Sequence, residues 1–160
     1  MQFCNSASTK YYVFRLNAAL LMSLVAVGGA SAATLSVGPG KTYAAPCAAF
    51  AKAKAGDIVE IDGSKTYSGD VCAITASDLT IRGVNGRPKI NAAGKNAQGK
   101  AIWVVKGNDI KIENVEMYGA KVRDKNGAAL RLEGTNFTLR SSFLHDNENG
   151  ILSGANANSN

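Results

Sequence analysis

The chain has 160 residues, enough for one domain, and carries 18 Lys and Arg against 12 Asp and Glu for a formal charge of +6. The cations are scattered along the sequence rather than clustered, which argues against a nucleic-acid partner. Two widely spaced cysteines and a lone histidine beyond residue 30 exclude a finger-type metal site.

The chain opens on a secretory signal peptide, residues 1–32. Lys10 and Arg15 introduce an apolar run from Leu16 to Val27, interrupted by Asn17 and Ser23, and Gly28-Gly29-Ala30-Ser31-Ala32-Ala33 follows. A basic start, a short apolar core and an Ala-x-Ala end set cleavage after Ala32. A membrane anchor needs a longer run of about 20 apolar residues. The expected product is secreted, periplasmic or extracellular, with no membrane span after signal cleavage. Losing Lys10 and Arg15 lowers the charge to +4, with 16 basic and 12 acidic residues. Such a surface suits an acidic polysaccharide and also suits ordinary solubility. Export favours a Cys47–Cys72 disulfide, the alternative being two buried thiols that never meet.

Residues 33–56 predict an extended lead and a helix. Leu35 and Val37 alternate with polar neighbours, as in a strand, and Gly38-Pro39-Gly40 turns the chain. Pro46 suits a first helical turn. Cys47, Phe50 and Ala51 then share one face, and Gly56 ends the helix. Asp57-Ile58-Val59-Glu60-Ile61 predicts a strand, Gly63 to Asp70 a turn, and Val71-Cys72-Ala73-Ile74 a second strand.

From Asp78 the sequence repeats. Asp78-Leu79-Thr80-Ile81-Arg82, Asp109-Ile110-Lys111-Ile112-Glu113 and Asn136-Phe137-Thr138-Leu139-Arg140 each run turn residue, apolar, polar, apolar, polar. A second pattern interleaves: Ala101 to Gly107, Ala128 to Gly134, and Gly150 to Gly154. Ile81 and Ile112 are 31 residues apart, Ile112 and Leu139 are 27, and Gly134 and Gly154 are 20. Short strands at this period, with no helical period after residue 56, predict stacked coils with three strands and three corners each. The fold class is therefore all-β, with coils over residues 57–160 that read as incomplete at the C-terminus. The segment Ala155 to Asn160 reads either as the start of another coil or as a frayed polar tail.

Gly40-Lys41-Thr42-Tyr43, the Ala-rich helix, Ala55 to Ile61 and Lys65 to Val71 resemble the amino-terminal cap and first coil of right-handed parallel β-helix proteins. Asn136 to Arg140, leading into Phe143-Leu144-His145-Asp146-Asn147-Glu148-Asn149-Gly150-Ile151, is similar to a later coil. The resemblance is to the pectate-lyase-like superfamily and covers residues 34–154. It implies a right-handed parallel β-helix with a short N-terminal capping helix. The family spans lyases, hydrolases, epimerases and passengers without chemistry, so the resemblance does not select a reaction.

Stacking sets the corner Arg123-Asp124-Lys125-Asn126-Gly127 beside the corner His145 to Gly150, about 4.8 Å away. His145, Asp124 and Lys125 are the candidate catalytic residues, and Arg123, Arg131 and Trp103 the candidates for binding substrate. Asp146 and Glu148 are the candidate ligands of a calcium ion, the cofactor that would neutralise a sugar carboxylate before proton removal. A cationic or imidazole base would then take the proton. A hydrolase would instead need two carboxyl groups about 5–10 Å apart, from Asp124 with Asp146 or Glu148. The bland reading makes these corner residues a ladder that satisfies turn backbone, Trp103 a core residue, and Tyr67 and Tyr118 corner residues without a sugar. The expected function is acting on or binding acidic polysaccharide, as a lyase or hydrolase if it is an enzyme. The alternative is a non-catalytic surface, adhesion or structural module.

Overall fold

The computed structural model describes residues 31–154. The signal-peptide assignment rests on residues 1–30 and the polar-tail assignment on 155–160, both outside the described residues. The chain runs β1 (Thr34–Val37), α1 (Pro46–Phe50), β2 (Ile58–Asp62), β3 (Thr66–Ser68), β4 (Cys72–Ile74), β5 (Thr80–Val84), β6 (Lys89–Asn91) and β7 (Ala101–Val105). It continues through β8 (Lys111–Glu113), β9 (Glu116–Tyr118), β10 (Ala128–Leu132), β11 (Thr138–Arg140), β12 (Phe143–His145) and β13 (Asn149–Ser153).

The strands form three sheets. Sheet A is β1-β2-β5-β8-β11, sheet B is β3-β6-β9-β12, and sheet C is β4-β7-β10-β13. Their pairings are parallel, as in a solenoid whose chain visits each sheet once per coil. The register explains the repeat. Leu35, Val59, Ile81, Ile112 and Leu139 stack in sheet A; Tyr67, Ile90, Met117 and Leu144 stack in sheet B. Cys72, Trp103, Leu130 and Ile151 stack in sheet C. These ladders converge on one core. Each fully buried aliphatic side chain stabilises the stack by about 1.5–3 kcal/mol relative to exposure. On the outer face of sheet A, Glu60, Arg82, Glu113 and Arg140 stand in register with alternating charge, and Arg82 Nη2 lies 2.6 Å from Glu60 Oε1. A one-residue slip would turn this charged row into the core, so the row helps hold the register.

Corners need unusual backbone angles, and Asp and Asn supply them. Asp78, Asp109 and Asn136 take φ of 53°, 57° and 54° at equivalent points ahead of β5, β8 and β11. Gly134 is required at the same corner by close approach, since a Cβ there would lie 2.1 Å from the Gly107 carbonyl oxygen.

Three elements differ from the sequence reading. Helix α1 stops at Phe50 rather than at Gly56, and it buries Ala49 in place of Ala51. It has no side-chain cap, and a five-residue helix is held only by packing. Beyond it the Asp57 carboxylate ties down the turn, accepting from Lys54 N at 2.8 Å and Ala33 N at 2.9 Å. Second, the supposed turn at 63–70 contains β3, whose Tyr67 points into the core and donates from its hydroxyl to the Asp62 carbonyl at 3.0 Å. Third, Gly154 donates to the Leu132 carbonyl, which sets it beside Glu133 and not Gly134. The offset in sheet C is therefore one residue longer than the glycine match implied, as Leu130 with Ile151 also requires.

Helix α1 packs on β1, β2 and β4. Phe50 meets Trp103 edge to face at a 5.0 Å centroid distance. The Cys47–Cys72 disulfide forms, with Cα atoms 5.9 Å apart, and joins α1 to β4.

Candidate functional site

The chain passes from sheet B to sheet C at one corner of every coil, and the candidate residues collect there. After β9 the corner is the loop 119–127; after β12 it is the three-residue turn 146–148. The two are adjacent, as stacking requires. Glu148 N donates to the Ala120 carbonyl at 3.1 Å and Asn149 N to the Gly127 carbonyl at 2.9 Å. Asn147 bridges the same coils, accepting from Ala120 N at 2.8 Å and donating to the Met117 carbonyl at 3.0 Å.

Glu148 is the anchor of the longer loop. Its Oε2 accepts from Gly127 N at 2.7 Å and from Val122 N at 3.0 Å. These two backbone donors, helped by Lys121 and Lys125, hold its carboxyl below the usual carboxylate range. Such a group stays ionised and is a poor proton donor. It shapes the loop on which Arg123, Asp124 and Lys125 stand exposed, with Lys125 at φ 54°.

His145 ends β12 between two acids. Its Nδ1 lies 2.8 Å from Asp146 Oδ2, and its Nε2 lies 3.3 Å from Glu116 Oε1. Asp146 first, then Glu116, raises its pKa against the opposing effect of burial. These contacts favour the imidazolium, so less of the free imidazole that could accept a proton is present at a given pH than in an unperturbed histidine. Lys89 Nζ is 3.7 Å from the same Glu116 oxygen. The rings of Tyr118 and Phe143 lie nearly parallel to the imidazole, with centroids 5.1 Å and 4.4 Å away.

The remaining sequence candidates lie elsewhere. Trp103 is fully buried, donates from Nε1 to the Asp70 carbonyl at 3.3 Å, and offers no surface to a substrate. Its place in sheet C, inward and against Phe50, makes it core, and Tyr67, inward in sheet B, is core as well. Arg131 lies on the outer face of sheet C between Val104 and Leu152, with Nε 4.0 Å from Glu133 Oε1. Among the described residues no three His, Cys, Asp or Glu side chains gather closely enough to hold a metal ion. Asp146 and Glu148 each turn an oxygen to a protein partner instead.

Several members of this surface escape a linear reading. Glu116, Phe143 and Lys89 join it because sheet B pairs Glu116 with both Lys89 and Phe143. Their signal was the equal spacing of Glu116-Met117-Tyr118 and Phe143-Leu144-His145, apolar at the centre of each. The preceding coil brings Lys95 and Lys100 to the same corner in the loop 92–100. Cations that are scattered along the sequence are thus gathered by topology: Lys95, Lys121, Arg123 and Lys125 exposed and Lys100 partly buried, beside the exposed Asp124 and Asp146 and the partly buried Glu148. No protein-family model, curated protein or solved structure matches the chain.

Proposed function

We propose that this is an exported, right-handed parallel β-helix protein of the pectate-lyase-like kind, with α1 as its N-terminal cap, that binds acidic polysaccharide along the B-to-C corner. The observation that carries the reading is the row of five cations on two successive corners, with the Glu148 carboxylate turned to the backbone donors of Gly127 and Val122. Coils about 4.8 Å apart let one extended polyanion meet several of these cations in turn. The lysines and Arg123 supply the attraction, and Arg123 adds a planar fork suited to a carboxylate. Binding is favoured over turnover. Both side chains are tied to protein partners: Gly127 N and Val122 N disfavour the protonated, proton-donating form of Glu148, and Asp146 with Glu116 favours the imidazolium of His145 over the free base.

The test is calorimetric titration of the purified protein with polygalacturonate and alginate, against a neutral glucan, at low and physiological salt. The expected result is binding of the acidic polymers alone, weakened as salt shortens the screening length to about 8 Å. Replacing Lys121, Arg123 and Lys125 together by Glu should abolish it. Equal binding of the neutral glucan, or an undiminished triple variant, would refute the reading. Absorbance of unsaturated uronate products in the same samples reports any lyase activity.

A further inference from the structure

Phe143 carries the furthest-reaching observation outside the cation row. Two large apolar side chains are exposed among the described residues, Phe143 at 50% and Ile151 at 42%. Ile151 belongs to the inward ladder of sheet C, on a strand that pairs only with β10 among the described residues. Phe143 differs, because it stands on the outer face of sheet B, in register with the charged Glu116 and Lys89. An aromatic ring held facing water on a strand, beside three polar groups, is the composition of a sugar-stacking surface rather than of a core edge.

The surroundings fix the ring's neighbours. His145 follows two positions along the same strand and stacks at 4.4 Å, and its imidazole is in turn fixed by Glu116 and Asp146. Tyr118, directly across from His145, lies on the imidazole as well. A ring flanked in this way keeps its place without a ligand, so little ordering is left for binding. Asp146 also begins the turn whose Glu148 pins the loop of Arg123 and Lys125.

We infer that the outer face of sheet B is a pyranose subsite, in which a uronic-acid ring lies on Phe143, gives hydroxyl hydrogens to Glu116 and Asp146, and turns its carboxylate toward the cations of loop 121–125. The inference rests on the acidic-polysaccharide reading and deepens it. The apolar face of the sugar meets the aromatic ring, the hydroxyl edge meets carboxylate acceptors, and the anionic substituent meets the row of lysines and Arg123. A polymer without carboxylates would satisfy only the first two contacts.

His145 is the sole histidine of the chain, so its ring protons form a single-site probe. The experiment titrates the wild-type protein with a short oligogalacturonate. The His145 ring resonance is followed by NMR and overall binding by calorimetry, and both are repeated with Phe143→Ala and Phe143→Tyr. The subsite predicts that the resonance shifts with the same affinity that calorimetry reports. Phe143→Ala should weaken binding roughly ten-fold or more, and Phe143→Tyr should keep it. If the wild type binds while the resonance stays still, or Phe143→Ala binds as well as wild type, the subsite is overturned and the cation row stands alone. If the wild type does not bind, the acidic-polysaccharide reading fails and the subsite with it. The wild-type resonance decides the matter even if Phe143→Ala fails to fold.

Discussion

His145 shows how much of this surface is decided by single contacts. Its ordinary pKa is about 6.5. Asp146 and Glu116 favour the charged imidazolium, burial disfavours it, and the carboxylates win. A histidine whose pKa is raised by folding contributes stability that is fully present below about 6.5 and is lost as pH rises through the higher native value. The expected titration midpoint of the ring therefore lies above 6.5, and thermal stability should decline across the same alkaline side. Asp146→Asn should bring the midpoint down further than Glu116→Gln, because Asp146 is the larger cause. NMR titration of the single histidine measures all three midpoints. A native midpoint at or below about 6.5 would mean that burial outweighs the two carboxylates, contrary to the distances observed.

At the scale of elements, the Cys47–Cys72 bond does what the short helix cannot do alone. Helix α1 is five residues long, lacks a side-chain cap and carries no acidic residue in its first turn. The bridge fixes it to β4 across a sequence separation of 25 residues. Constraining a loop of that size stabilises by about 3 kcal/mol in the chain-entropy model. Reductant should lower the denaturant midpoint accordingly, with the helix face that holds Phe50 against Trp103 loosening first. Near-ultraviolet dichroism of Trp103 and the urea midpoint, each measured with and without reductant, check this. An unchanged midpoint would mean that packing alone holds α1. This element was legible in part: Pro46 and the two cysteines announced it, while its end at Phe50 carries no stop residue that the sequence shows. Sheet A was legible for a simpler reason. It sets Asp or Asn at positive φ ahead of β5, β8 and β11 and places Ile81, Ile112 and Leu139 at matching positions. Sheet B was not, because a three-residue strand such as Thr66–Ser68 has one inward side chain and shows no alternation. Glu116 and Phe143, both on sheet B, were missed with it, and the cation row required the pairing of coils 27 residues apart in sheet B.

At the scale of the whole molecule, a polypeptide of these 160 residues should lose stability along the stack, because a solenoid coil is secured mainly by its two neighbours. Ile81 and Ile112, with a coil on either side, are fully buried, and so are Ile90, Met117, Trp103 and Leu130. In the last described coil the equivalent Leu139 and Leu144 are only partly buried, and Ile151 is 42% exposed. The backbone follows the same gradient. Strands β11, β12 and β13 each pair on one side among the described residues, whereas β8, β9 and β10 pair on both. Local opening draws on regions with few buried apolar contacts and unpaired strand edges. In that polypeptide amide hydrogen exchange should therefore be slowest in β5, β7 and β8 and fastest in β11 to β13. The Glu148 contacts to Gly127 and Val122 would open with the fast group. That coupling ties the gradient to the surface, since loop 121–127 is pinned from the less stable coil. An acidic oligosaccharide that bridges Phe143 to the loop should slow exchange in β12 and at Gly127 together, while leaving β5 unchanged. Uniform exchange across the four coils would mean that the stack opens as one cooperative unit. The surface would then be no looser than the core beneath it.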